Sequence, residues 1–195
     1  MTCKQLWVLA GGNGSGKSTF YSLALAPWGI KLVNADVIAK IINPDHPEQV
    51  SYEAAGIADK IREALLYQGS CFCFETVFSH PSKIDFIATA KSLGYAVILV
   101  YIHLYTPQLN EARVHQRVTR GGHDVPAEKI YSRLPRTIKH VKKVLPLVDE
   151  ARLLDNSYRD EPFQRVAVVK RGRCVWKSDQ LPEWARKILP KLNVC

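Results

Sequence analysis

Nine consecutive residues near the start of the chain, Gly11-Gly12-Asn13-Gly14-Ser15-Gly16-Lys17-Ser18-Thr19, combine glycines with a lysine and hydroxyls. Glycines let a backbone turn tightly and approach a ligand closely. The pattern G-x-x-x-x-G-K-S is the phosphate-cradling P-loop. Its loop amides and Lys17 are expected to hold the phosphates of ATP, and the Ser18 hydroxyl to hold Mg²⁺. Two carboxylates end apolar runs further on: Asp36 after Ile30-Lys31-Leu32-Val33, and Glu75 after Cys71-Phe72-Cys73-Phe74. Phosphoryl transfer needs a cradle, a metal, a group to accept the hydroxyl proton and cations for the transferring charge. Asp36 and Glu75 are placed to be the proton acceptor and a substrate or metal-water ligand. Either acid also reads as the cap of a following helix, a role Asp often takes.

Arg113, Arg117 and Arg120 are spaced four and three apart and share one helix face. Planar guanidinium groups suit phosphate oxygens, and the adjoining Gly121-Gly122 makes this segment resemble a lid that closes over the γ-phosphate. A solvated basic face is the plainer reading of such a run, and the P-loop favours the lid. A second basic stripe, Lys129, Arg133, Arg136, His140 and Lys143, reads mostly as surface. Within it Arg133 and Arg136 stand nearest the lid. Asp155-Asn156 is expected at the adenine edge.

The elements that position these groups follow from periodicity. Leu6-Trp7-Val8-Leu9-Ala10 reads as a buried strand, followed by a helix from Lys17 that ends near Pro27. Strands are expected at Ile30 to Val33, Cys71 to Phe74, Tyr95 to Leu104 and Arg152 to Leu154. Helices are expected from Pro47 to Gln68, Pro81 to Leu93, Pro107 to Arg120 and again after Pro126. Pro135 should kink or restart the last of these. Nearly all-apolar strands alternating with helices indicate a parallel sheet covered on both faces. The expected fold is an α/β P-loop NTPase with a parallel sheet of about five strands sandwiched by helices. A helical lid occupies about residues 107–126. A small hairpin, Phe163 to Val169 and Cys174 to Trp176, belongs to an appendage over about residues 160–195, and a terminal helix near Pro182 to Leu189 follows it.

With 195 residues and 47% apolar content, the chain reads as one globular domain. No apolar run is long enough to span a bilayer. The first strand follows Met1 almost at once and leaves no room for a signal peptide. Five cysteines, an odd number without zinc-site spacing, fit a reducing, cytoplasmic setting. Cys71 and Cys73 are expected as buried thiols. The net charge of +9 arises wholly after Asn110, which points to an anionic partner for the second half. No basic stretch is interleaved with aromatics as in strand binders, so that partner is expected to be the phosphates of small molecules, not nucleic acid.

Gly-Asn-Gly-Ser-Gly-Lys-Ser-Thr, then Asn34-Ala35-Asp36, then Phe74-Glu75-Thr76, then Arg120-Gly121-Gly122-His123-Asp124-Val125-Pro126 together resemble the zeta-toxin-type P-loop kinases. The likeness is nearest to their short bacterial members, described as zeta toxins or AAA-family ATPases, and runs from about Leu6 to Asn156. It implies that Asp36 is the catalytic base toward a substrate hydroxyl and that Lys17 is the P-loop lysine. It also implies that Glu75 and Thr76 contact the substrate and that lid arginines steady the phosphates, for which Arg113, Arg117 and Arg120 are the candidates. Family members phosphorylate a nucleotide-sugar, UDP-N-acetylglucosamine, in toxin–antitoxin systems, so an antitoxin protein is an implied partner. The chain departs from those toxins in being shorter and in having Glu-Thr where they have Glu-Gly-Thr. A rival of another class is an ATP-hydrolysing switch or a protein acting on nucleic-acid ends.

Overall fold

The computed structural model describes residues 4–119, 121–122 and 124–189. Arg120 and His123 lie outside the described residues. The strands are β1 (Gln5–Ala10), β2 (Lys31–Val33), β3 (Phe72–Thr76), β4 (Ala96–His103), β5 (Glu150–Asp155), β6 (Gln164–Lys170) and β7 (Arg173–Lys177). The helices are α1 (Lys17–Phe20), α2 (Ala35–Ile42), α3 (Ser51–Tyr67), α4 (Ser82–Ser92), α5 (Pro107–Val118), α6 (Ala127–Val144) and α7 (Glu183–Ile188). A π-helical turn, Tyr21–Leu25, and a 3₁₀ turn, Ala26–Trp28, carry α1 onward to the proline that ends it.

The strands form one seven-stranded sheet in the order β2-β3-β1-β4-β5-β6-β7. The first five are parallel, with Leu6 opposite Phe72 on one side and Val97 on the other. Parallel neighbours need long crossovers, which the helices supply and which cover both faces. The C-terminal hairpin adds to this sheet: β6 runs antiparallel to β5, and β7 to β6. All the β3 side chains from Phe72 through Phe74 are fully buried, and Phe72 and Phe74 meet Phe86 edge-on while Phe72 also meets Tyr95. Such edge-to-face pairs add stability beyond area burial.

Two expectations change here. Helix α6 runs unbroken through Pro135. The proline removes the backbone donor that Tyr131 O would meet, and the helix is held across it by the buried side chains of Ile130, Leu134 and Val141. Cys71 is exposed, just ahead of β3, and only Cys73 is buried. Burial pushes the Cys73 thiol well above its usual range. No helix among the described residues is long and apolar enough to cross a membrane.

Candidate active site

Every parallel strand presents its carboxyl end on one side of the sheet, where open α/β sheets bind ligands. Beyond β1 the chain enters the loop 11–16, whose glycines at 14 and 16 adopt left-handed φ values of 75° and 97°. Side chains there would also collide: a Cβ on Gly14 would stand 2.6 Å from Asn110 O, and one on Gly16 would stand 2.4 Å from Asn156 Nδ2. The loop then runs directly into α1, whose first residue is Lys17. Lys17 is 6% exposed and donates to Gly11 O and Gly12 O, both at 3.0 Å. Its burial lowers the ammonium pKa, and the carboxylates of Glu75 and Asp36 work against that shift.

The ends of β2 and β3 supply the acids. Glu75 Oε2 accepts from Ser18 Oγ at 2.8 Å and from Asn34 Nδ2 at 2.9 Å, while Oε1 lies 3.6 Å from Lys17 Nζ. Glu75 therefore sits against the P-loop hydroxyl. Asp36 is in the first turn of α2, but it is not the cap: Asn34 caps, its Oδ1 accepting from the Asp36 backbone N–H at 2.7 Å. The Asp36 side chain is exposed and lines the same cleft. Thr76 also lines it, but its Oγ1 accepts from Phe78 N at 3.0 Å and so orders the turn after β3. That turn is held from the other side by α6, through Thr137 Oγ1 to Val77 O at 2.8 Å and His140 Nδ1 to Phe78 O at 3.1 Å.

The cleft measures about 1270 Å³. Small-molecule pockets run from about 300 to 1,000 Å³, and this open cleft lies at the upper end of that scale or just beyond it. Arg113 and Arg117 of α5 line it, and Arg117 is near enough to Lys17 to oppose its charge. Arg113 Nη2 also donates to Ser157 O at 3.3 Å. Arg120, the third expected lid arginine, lies outside the described residues. Gly122 folds back so that its N–H donates to Arg117 O at 3.0 Å. In the second stripe, Lys129 and Arg133 line the cleft; Arg136 is exposed, turned back along its own helix, and does not.

Sequence reasoning missed Asn110 and the role Asn156 plays in the loop. Asn110 of α5 is 1% exposed, and its Nδ2 donates to Asn13 O at 2.6 Å, tying α5 to the loop. Asn156 Nδ2 donates to Ser15 O at 2.9 Å. At Asp155-Asn156, expected at the adenine edge, Asn156 gives its amide to the loop backbone and Asp155 its carboxylate to Ser157 and Trp184 Nε1. An asparagine a few residues past a predicted strand, in a helix rich in polar residues, carries no signal of such a contact. Asn110→Ala is expected to destabilise the protein by about 1–3 kcal/mol, since it leaves the Asn13 carbonyl unserved. A drop in the chemical-denaturation midpoint with an unchanged slope checks this.

A phosphate-bearing nucleotide fits the loop on the structure's own terms. Ser15 Oγ is fully buried with no hydrogen-bond partner among the described residues, and the glycines leave a cradle that Cβ atoms would fill. Mg²⁺ fits too: Ser18 and Glu75 offer hard oxygens, and this ion takes one or two carboxylates and keeps waters and phosphates for the rest. Accordingly, no cluster of three or more metal-ligating side chains is present among the described residues.

A parallel sheet with this loop after its first strand defines a P-loop NTPase. Within that class the chain belongs to the AAA domain family, whose profile matches residues 6–134. An uncharacterized protein of Haemophilus influenzae is 35% identical over 130 residues, which is 63% of this chain and 92% of that protein. Among solved structures, AvrRxo1-ORF1 in complex with AvrRxo1-ORF2 and ATP superposes with a TM-score of 0.74 at 22% identity, covering 96% of this chain. The chain spans only 64% of that structure's length. The PezAT toxin–antitoxin system of Streptococcus pneumoniae gives a TM-score of 0.63 at 16% identity, covering 98% of this chain and 79% of that one. At these identities the two structures are similar in fold.

Proposed function

We propose that the protein is a Mg²⁺- and ATP-dependent kinase that transfers the γ-phosphate to a hydroxyl of a small molecule. One observation carries this reading: a P-loop lysine, two carboxylates in unlike surroundings and two α5 arginines line one cleft. The neighbours' folds agree with the reading, and the residues that resemble zeta-toxin-type kinases lie at this cleft. A nucleotide-sugar acceptor and a protein antitoxin are the finer parts of the proposal. They draw on that resemblance and on the likeness in fold to the PezAT toxin–antitoxin system.

The two acids divide the work by environment. Glu75 is held by Ser18, Asn34 and Lys17, so its oxygens face the metal side and orient what Ser18 holds. Asp36 carries no side-chain bond to those groups and opens to the cleft, which suits it to accept the proton of the acceptor hydroxyl. Lys17 and the loop amides bind the β- and γ-phosphates. Mg²⁺, when bound, supplies charge neutralisation between those phosphates. Arg113, Arg117 and Arg120 hold the oxygens on which charge develops, and α5 closes with them to exclude water.

The reading is tested by incubating the protein with ATP, Mg²⁺ and a panel of hydroxyl acceptors, UDP-N-acetylglucosamine among them. A product heavier by one phosphoryl group is expected by mass spectrometry. ATP hydrolysis with no phosphorylated acceptor across the panel would instead favour the switch.

A further inference from the structure

The cleft extends well beyond the P-loop to a wall built by α3 and α4. Arg62 of α3 lies in that wall and is 6% exposed. Its guanidinium stacks on Phe74 at 5.0 Å and on Phe86 at 5.7 Å from the ring centroids. Phe74 belongs to the core and Phe86 packs against it, so the planar group is held at one place. Lys83, in the first turn of α4, converges on the same point, since Arg62 Nη2 and Lys83 Nζ both bond Asp59 Oδ1.

Two cations thus share one carboxylate that is half exposed. Arg62 Nε is buried with no partner among the described residues, and an unmade bond at a buried donor is costly. Burial, with Arg62 nearby, pushes the Lys83 ammonium down to about 8, so positive charge is crowded here. The cleft as a whole is lined by nine Lys and Arg against four Asp and Glu among the described residues. That excess is more than one Mg²⁺-bound triphosphate neutralises. Nothing in the nucleotide-binding half uses Arg62 or Lys83.

Building on the kinase reading, we propose that Arg62 and Lys83 form an oxyanion subsite that receives a phosphate or carboxylate group of the acceptor molecule. The acceptor would then be a hydroxylated anion, gripped at one end by this pair while its hydroxyl meets Asp36. A clamped guanidinium offers a fixed fork of donors to such a group, and the ammonium adds a point charge. Asp59 holds the two cations in place until the anion arrives and competes with it for them.

The test is calorimetric titration of inorganic phosphate, and separately of succinate, into protein saturated with Mg²⁺ and a non-hydrolysable ATP analogue. The analogue blocks the P-loop. Lys83→Gln, at a partly exposed position, should weaken anion binding about tenfold or more. Asp59→Asn should tighten it several-fold, a change of opposite sign that a purely structural role would not produce. Arg62→Lys, which keeps charge but loses the fork, should weaken it as well, with thermal melts confirming the fold. Binding of phosphate alone assigns a phosphorylated acceptor, and binding of succinate alone a carboxylate; either supports the subsite. Failure of both anions to bind, or equal affinity in wild type, Lys83→Gln and Asp59→Asn, overturns it. Running the same titration on Lys17→Ala protein without nucleotide separates the two readings. The subsite fails by losing its dependence on Lys83, whereas the kinase fails by phosphorylating no acceptor.

Discussion

Replacing Lys17 with alanine is expected to weaken ATP binding roughly 100-fold, about 3 kcal/mol, the upper range for a hydrogen bond to a charged group. The reason lies in where the side chain already is. Lys17 is buried at the mouth of α1, and its ammonium is held by two loop carbonyls and faced by Glu75. Burial depresses its pKa, so the charge is kept at a cost that only nearby negative groups relieve. A triphosphate is the strongest such group the cleft can admit. Removing the lysine removes that match, while Glu75 keeps its bonds to Ser18 and Asn34. Without nucleotide the melting temperature should fall as well, because Gly11 O and Gly12 O lose their donor and Glu75 loses its ion-pair partner. With saturating nucleotide the wild-type rise in melting temperature should be largely absent in the variant. Calorimetry with a non-hydrolysable analogue checks the affinity, and a dissociation constant within about threefold of wild type would remove Lys17 from the cradle.

The second large effect is expected at Asp36, where Asp36→Asn should lower the rate of phosphoryl transfer by about 10²–10⁴-fold, the usual contribution of a positioned general base. The amide has nearly the same shape but cannot accept the proton. The backbone at this position is fixed by Asn34, not by the Asp36 side chain, so the substitution leaves the helix start intact. ATP affinity should stay equal or improve, because a negative charge near the phosphates is lost. That split between binding and turnover is what distinguishes a base from a structural acid. Transfer at near wild-type rate would move the role to Glu75. Single-turnover assays with bound ATP, read alongside equilibrium binding, measure both quantities.

Much of this site is legible one residue at a time. The loop from Gly11 to Thr19 carries its own geometry, because glycine placement and the following helix are local properties of the chain. Asp36 and Glu75 stand out because each ends a run of apolar residues, and an acid there needs a reason. Arg113 and Arg117 share a helix face by spacing alone. The strand and helix pattern likewise shows a parallel sheet with covered faces, and the structure extends it by two antiparallel strands from the expected hairpin.

Other features become visible only when distant parts of the chain meet. Asn110 and Asn13 are 97 positions apart, and Asn156 and Ser15 are 141 apart; nothing in either neighbourhood marks them as partners. Arg62 reads as one more charge on a long amphipathic helix until Phe74 and Phe86 close over it. Pro135 reads as a break until Leu134 and Thr137 beside it are seen buried against the rest of the fold, with Thr137 Oγ1 donating to Val77 O. Sequence alone determined the phosphate-binding loop and the acids at the ends of β2 and β3, since both are local patterns of the chain. Tertiary structure decided which side chains hold the loop and how differently the two acids of the cleft are partnered. Those are matters of burial and of partners far apart in the chain, and long-range packing alone sets both.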